Sequence, residues 1–174
     1  MQDLETSSFA FSDLCQIVGM SKTLAQNWTS GRPFKIFPSI ATAEGRGGRN
    51  IYSIYDAYLF AYLCRARKEG YGSDFLDRVV SLLTLRTASE PDPLKKYFGR
   101  SEPWLVISVV KYATGTHNTH RTEDGRQRFT DPLYLSDSHD ETATMFAVNL
   151  EKLREVVNMR ALKLLGKRNK RTKR

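Results

Sequence analysis

Cysteine is scarce: the chain has 174 residues and two cysteines, Cys15 and Cys64. Both sit in apolar helical patterns, the ordinary place for a small buried thiol, so a disulfide framework is excluded as the organising principle. Beyond Cys64 there is none, which removes any thiolate metal site from the C-terminal half. Long hydrophobic runs are missing too. The longest, Trp104–Val110, falls well short of the roughly 18 apolar residues that cross a bilayer, and suits a buried strand. Met1–Ser8 is polar and acidic, the wrong chemistry for a secretory signal, so a cytosolic protein is expected. No glycine-rich phosphate loop follows a strand and no nucleophile motif is present, so the chain reads as non-enzymatic, with no catalytic residue and no cofactor assigned.

Histidine is equally sparse. His117 and His120 stand three apart, with Asp124, Asp137, His139 and Asp140 further on. A metal site there needs two separate polar loops to converge; ordinary polar residues in hairpin loops explain the pattern more simply, and no metal is expected. The acidic groups of Asp137–Glu141 resemble a carboxylate pair, but nothing places a pocket around them. The chain carries no internal repeat.

Positive charge is what the sequence has in excess. The formal net charge is +8, and Lys167–Arg174 holds six Lys or Arg and no acid. Without that segment the balance is only +2. The body is mildly basic, and residues 167–174 read as a cationic tail attracted to polyanions. Hydrophobic residues make up 40% of the chain, enough for a packed core in one ordinary domain or two small ones.

Local signals give an element order. Ser12 is placed to cap a short helix with Leu14, Ile17 and Val18 on one face, ended by Gly19. Ser21 caps a second helix, running to about Trp28 and broken by Gly31-Arg32-Pro33. Phe34, Ile36 and Pro38 alternate with Lys35 and Phe37, as a short edge strand does. Glu44–Arg49 is a glycine-rich basic turn, and Asn50–Tyr52 returns as a second strand, making a hairpin with a basic tip. Ser53 with Asp56 resembles a capping box opening a central helix that ends near Gly70. Another helix starts near Ser73. Glu90-Pro91-Asp92-Pro93 interrupts helical structure and marks a boundary. Trp104–Tyr112 reads as a central strand, residues 113–126 as a long loop, Arg128–Leu135 as a second strand, Ser136–Glu141 as a turn and Thr144–Val148 as a third strand. Asn149 caps a last helix with Leu150, Leu153, Val157, Ala161 and Leu164 on one stripe.

Helix, glycine turn, helix, basic hairpin and capped helix form an informative series. A short turn lets the second helix lie in a major groove while the first braces it. Phe11-Ser12-Asp13-Leu14, Gly19-Met20-Ser21-Lys22, Asn27-Trp28, Arg49–Asp56 and Lys68-Glu69-Gly70-Tyr71 together resemble the MerR family of winged-helix regulators over about residues 9–85. The resemblance implies a winged helix-turn-helix over 9–88, with a recognition helix at about 21–28 and a wing at about 33–52. The residue pattern adds a small sheet and C-terminal helix over 94–166, a possible dimerisation or effector module, and makes the whole an α+β chain. It departs from the family where Gln26-Asn27-Trp28 replaces the usual Arg-Tyr-Tyr and in a longer, glycine-richer wing, so base specificity does not transfer. The C-terminal half is not the family's usual long dimerisation helix.

The expected function is sequence-specific binding of duplex DNA in transcription control, which would associate the protein with the nucleoid. The expected contacts are Ser21, Lys22, Thr23, Gln26 and Asn27 on the second helix, Arg32, Lys35, Arg46 and Arg49 on the wing, and Lys167, Arg168, Lys170 and Arg171 on the tail. Two alternatives stand beside it: a DNA-architectural or excisionase-like recombination factor, and a protein- or ligand-binding adaptor. A homodimer is expected, because one small winged helix covers few base pairs. Its interface would be the Leu150–Leu164 stripe or an edge of the sheet on Trp104–Tyr112, unless the stripe covers the chain's own sheet.

Overall fold

Two short helices open the chain, each ended by a glycine in the left-handed conformation. The computed structural model describes residues 3–41, 49–86, 91–99, 101, 103–112, 115–123 and 142–172. The strand β1 (Phe9–Ala10) runs straight into α1 (Phe11–Val18). The cap of α1 is Ala10, two residues before the expected Ser12. Pairing of β1 with β2 (Ile51–Tyr52) holds Ala10 extended, and the Asp13 carboxylate accepts the Ala10 N–H at 2.8 Å. Helix α2 (Lys22–Ser30) follows the turn, and α3 (Ile54–Lys68) starts at the predicted Ser53/Asp56 capping box.

Helix α3 is the axis of the fold, with ten buried residues that include Leu59, Phe60, Tyr62 and Leu63. On one side Phe60 meets Trp28 of α2 and Tyr52 of β2, ring centroids 5.9 and 6.3 Å apart. On another, Tyr62 packs 5.1 Å from Phe146 and donates its hydroxyl to the Phe146 carbonyl. Helices α4 (Ser73–Thr84) and α5 (Pro93–Phe98) close further faces. The proline pattern predicts a break where α5 begins. Pro93 instead occupies the first helical turn, where proline is tolerated, and Asp92 caps the helix by accepting Lys95 N–H at 3.1 Å.

The three-stranded antiparallel sheet has the order β4 (Gly115–Glu123), β3 (Trp104–Tyr112), β5 (Thr142–Asn149), with Ile107 opposite His120 and Phe146. Trp104–Tyr112 is thus the central strand, as its apolar run predicts. Residues 115–123, expected as loop, form a strand instead: β3 offers an unpaired edge, and backbone hydrogen bonding along it outweighs the polar composition of the segment. The expected strand 128–135 and turn 136–141 lie outside the described residues.

Helix α6 (Leu150–Thr172) is capped by Asn149, whose side-chain oxygen accepts Lys152 N–H at 2.9 Å. Leu150, Val157, Ala161 and Leu164 are buried, and α6 packs on α1, α3, β3 and β5. The stripe therefore covers the chain's own core. The backbone of 167–172, expected as an unpacked tail, continues α6, since lysine and arginine are good helix formers and no breaker follows Gly166. The segments before and after the Pro91–Pro93 boundary share one hydrophobic core, from Phe9 to Leu165. The chain is thus an α+β protein with mixed helices and small antiparallel sheets. Among the described residues no helix is long and apolar enough to cross a membrane.

Candidate nucleic-acid interface

The site begins at the turn between α1 and α2. Gly19 has φ 76°, and the N–H groups of Gly19 and Met20 both donate to the Cys15 carbonyl, at 2.9 and 3.1 Å. A side chain here would be strained by the backbone angle and would also collide: a Cβ on Gly19 would lie 2.9 Å from Arg160 Nη1. That guanidinium donates to the Ile17 and Val18 carbonyls at 3.2 and 2.9 Å. It thereby satisfies orphan carbonyls at the C-terminus of α1, where a positive charge is also favoured by the helix dipole.

Ser21 then caps α2, its hydroxyl accepting Leu24 N–H at 3.2 Å. Apolar spacing anchors the helix. Ala25 and Trp28 are fully buried, and Trp28 stacks 5.6 Å from Phe34. The opposite face carries Lys22, Thr23, Gln26 and Asn27, all exposed, with no hydrogen bond or ion pair from their side chains to the described residues. No acidic residue lies on α2. Such a face offers donors and acceptors of the kind that read base edges and phosphates.

The hairpin differs from the expectation in its first strand. Residues 34–38 form no strand. Phe34, Ile36 and Pro38 are buried, and Ile36 N–H donates to the Trp28 carbonyl at 2.9 Å, so this segment folds back as a plug beneath α2. The hairpin starts later, at an antiparallel bridge between Ala41 and Ile51 closed by bonds of 3.2 and 2.9 Å. Ile51 is also paired to Ala10, so the strand expected from 34–38 is replaced by β1. Arg46 and the glycine tip lie outside the described residues. Arg32, Lys35 and Arg49 are exposed. The Lys35 ammonium sits 4.7 Å from the centre of the exposed Phe37 ring.

At the other end of α1, Arg168 pairs with the Asp13 carboxylate. Arg168 is therefore paired within the chain, its guanidinium half-exposed. Lys167 is exposed, and the backbones of Lys170 and Arg171 are helical. Both ends of α1 are thus latched by arginines of α6, a contact across about 140 to 155 residues that no local signal announces.

Other chemistry is muted. Burial pushes the Cys64 thiol up to about 11 and raises that of Cys15, so both are protonated at neutral pH and poor nucleophiles. Among the described residues no group of His, Cys, Asp and Glu is placed to hold a metal. His117 and His120 stand in β4 opposite Val110 and Ile107, while Asp124, Asp137, His139 and Asp140 lie outside the described residues. Asp56 is fully buried. Its Oδ2 accepts from the N–H and hydroxyl groups of both Ser39 and Ser53, whereas Oδ1 has no partner among the described residues. Burial raises its carboxyl above the ordinary value against the pull of those bonds. The arrangement ties Ser39 to the start of α3 and fixes the plug segment. No protein-family model and no curated protein matches this chain.

Proposed function

We propose that the chain is a non-enzymatic regulator of transcription that binds duplex DNA sequence-specifically, with α1 and α2 acting as a helix-turn-helix and α2 entering the major groove. The observation that carries this reading is the face of Lys22, Thr23, Gln26 and Asn27. It is polar and acid-free, has no hydrogen-bond or ion-pair partners among the described residues, and sits on a helix held rigidly by Trp28 and Ala25. A segment closed at Ala41 and Ile51, with Arg49 at its base, acts as the basic wing of a MerR-like winged helix beside it. Arg32, Lys35, Arg49 and Lys167 supply phosphate contacts and sequence-independent affinity.

The working form is a homodimer on a two-fold site, with half-sites about 10 base pairs apart or a multiple of it. The stripe of α6 is occupied by the core, so the dimer uses the outer side of α6, where Met159 and Leu162 are exposed by 62% and 45%. Selecting bound fragments from a random duplex library tests the reading. A recurrent, two-fold symmetric sequence is expected; enrichment of none, with affinity set by length and salt alone, contradicts it.

A further inference from the structure

A cavity of about 500 Å³ lies where α3, the sheet and α6 meet, next to the end of α1. Small-molecule sites typically enclose about 300–1,000 Å³. Its walls are apolar, formed by Ala61, Val148, Leu153 and Val156 with Trp104. Among the described residues its charged lining is of one sign: Arg65, Lys68, Lys152 and Arg160, with no carboxylate. Arg65 is paired outward to Glu69 at 2.6 Å, but Lys68 and Lys152 make no side-chain hydrogen bond or ion pair to the described residues. Arg160 uses Nη1 on the Ile17 and Val18 carbonyls, and its Nη2 has no acceptor among the described residues.

Three cations with donors to offer, gathered over an apolar pit, define a complementary ligand: a compact apolar body carrying one negative group. We propose that this cavity binds a small amphipathic organic anion, an aromatic carboxylate or sulfonate. Its apolar part lies against Ala61, Val148 and Val156, and its charge lies among Lys68, Lys152 and Arg160. Burying the apolar part supplies affinity, and the cations favour an anion over neutral or cationic analogues of the same shape. The ligand also has a route to α2. Arg160 is the group that clamps the end of α1 at the Gly19 turn, so an anion on the same guanidinium alters how firmly that turn is held. An effect on DNA affinity rests on the DNA-binding reading; binding of the anion does not.

The test uses the full chain without DNA, so failure of the DNA-binding reading leaves it intact. Titration with 8-anilinonaphthalene-1-sulfonate, followed by fluorescence, is compared with the neutral N-phenyl-1-naphthylamine, and circular dichroism checks the fold of each variant. One saturable site is expected, with the sulfonate bound at least about tenfold more weakly by the Lys68→Glu/Lys152→Glu double variant and the neutral probe changed much less. Val156→Trp, at a half-exposed wall position, fills the cavity and is expected to abolish binding of both probes while the chain stays folded. Saturation with the sulfonate is expected to change hydrogen exchange at Gly19 and Met20. Absence of a saturable site, equal sulfonate affinity in the double variant, or retained binding in Val156→Trp would overturn the proposal. Unchanged exchange would overturn the link to the turn.

Discussion

Helices α2 and α6 are both basic, yet they use their charge in opposite ways. On α2, Lys22 and its polar neighbours face outward and have no hydrogen-bond or ion-pair partner within the described chain. On α6 three arginines turn inward: Arg154 donates to the Phe98 carbonyl, Arg160 to those of Ile17 and Val18, and Arg168 to Asp13. These arginines of the longer, more strongly charged helix brace the fold, while the polar face of the shorter one is left to meet a partner. Net charge locates neither role; what separates these side chains is whether an acceptor within the described chain already holds them.

The contrast is broken most severely by placing charge where α6 is packed. Val157 is 2% exposed, so Val157→Asp would bury an unpaired carboxylate and is expected to cost at least about 3 kcal/mol, measured as a shift of the urea unfolding midpoint. A folded but monomeric variant would instead make the stripe an interface between copies. Next is Asp56→Ala, which strands the Ser39 and Ser53 N–H groups and should cost about 2–4 kcal/mol, whereas Asp56→Asn keeps an acceptor and should cost less. The same residue gives a pH signature. Its folded-state value is raised, so the folded chain holds this proton more readily than the unfolded one. The stability Asp56 contributes is therefore fully present below the unfolded value of about 4 and is lost as pH rises through the folded value. Asp56→Asn should flatten that slope in denaturation series run across mildly acid pH.

Smaller effects sharpen the difference between latch and reader. Arg160→Met keeps the aliphatic stem but frees the carbonyls of α1. It should cost about 1–2 kcal/mol and speed hydrogen exchange at Gly19 and Met20, while Lys22→Met on α2 should leave stability within about 0.5 kcal/mol. Arg168→Ala removes a half-exposed ion pair and should cost under about 1 kcal/mol. Lys167→Ala should leave stability unchanged yet flatten the log–log salt dependence of DNA affinity by about 0.9 if Lys167 touches one phosphate. An unchanged slope would return Lys167 to a solvated helix face.

Much of this was legible because the signals are local. Gly19, Ser21, the Ser53/Asp56 box and Asn149 each act within a few residues, and the structure puts a turn or cap at each. The Leu150–Leu164 stripe announced a buried face but not its occupant. What failed were places where distant partners decide. Phe34, Ile36 and Pro38 alternate like a strand, but Phe34 packs on Trp28, the Ile36 N–H is taken by the Trp28 carbonyl, and all three side chains are buried. Residues 115–123 look like a loop until β3 supplies an edge. The α5 helix was missed because Pro93 reads as a breaker everywhere except the first turn it occupies. For the candidate site, the outward face of α2 follows from helical periodicity alone. The Arg160 and Arg168 latches could not be anticipated, since nothing near either residue in sequence points to α1.

The central claim is that α2 reads base edges. It is tested most directly by measuring, at fixed salt, the affinity of Gln26→Ala and Asn27→Ala for the selected site and for random duplex of equal length. Neither side chain carries structural duty, so both variants should fold as the parent does. At least one is expected to lose about 1–3 kcal/mol on the selected site and almost nothing on random DNA. Equal losses on both duplexes would reduce these residues to phosphate contacts, and undiminished affinity of both variants for the selected site would contradict the account.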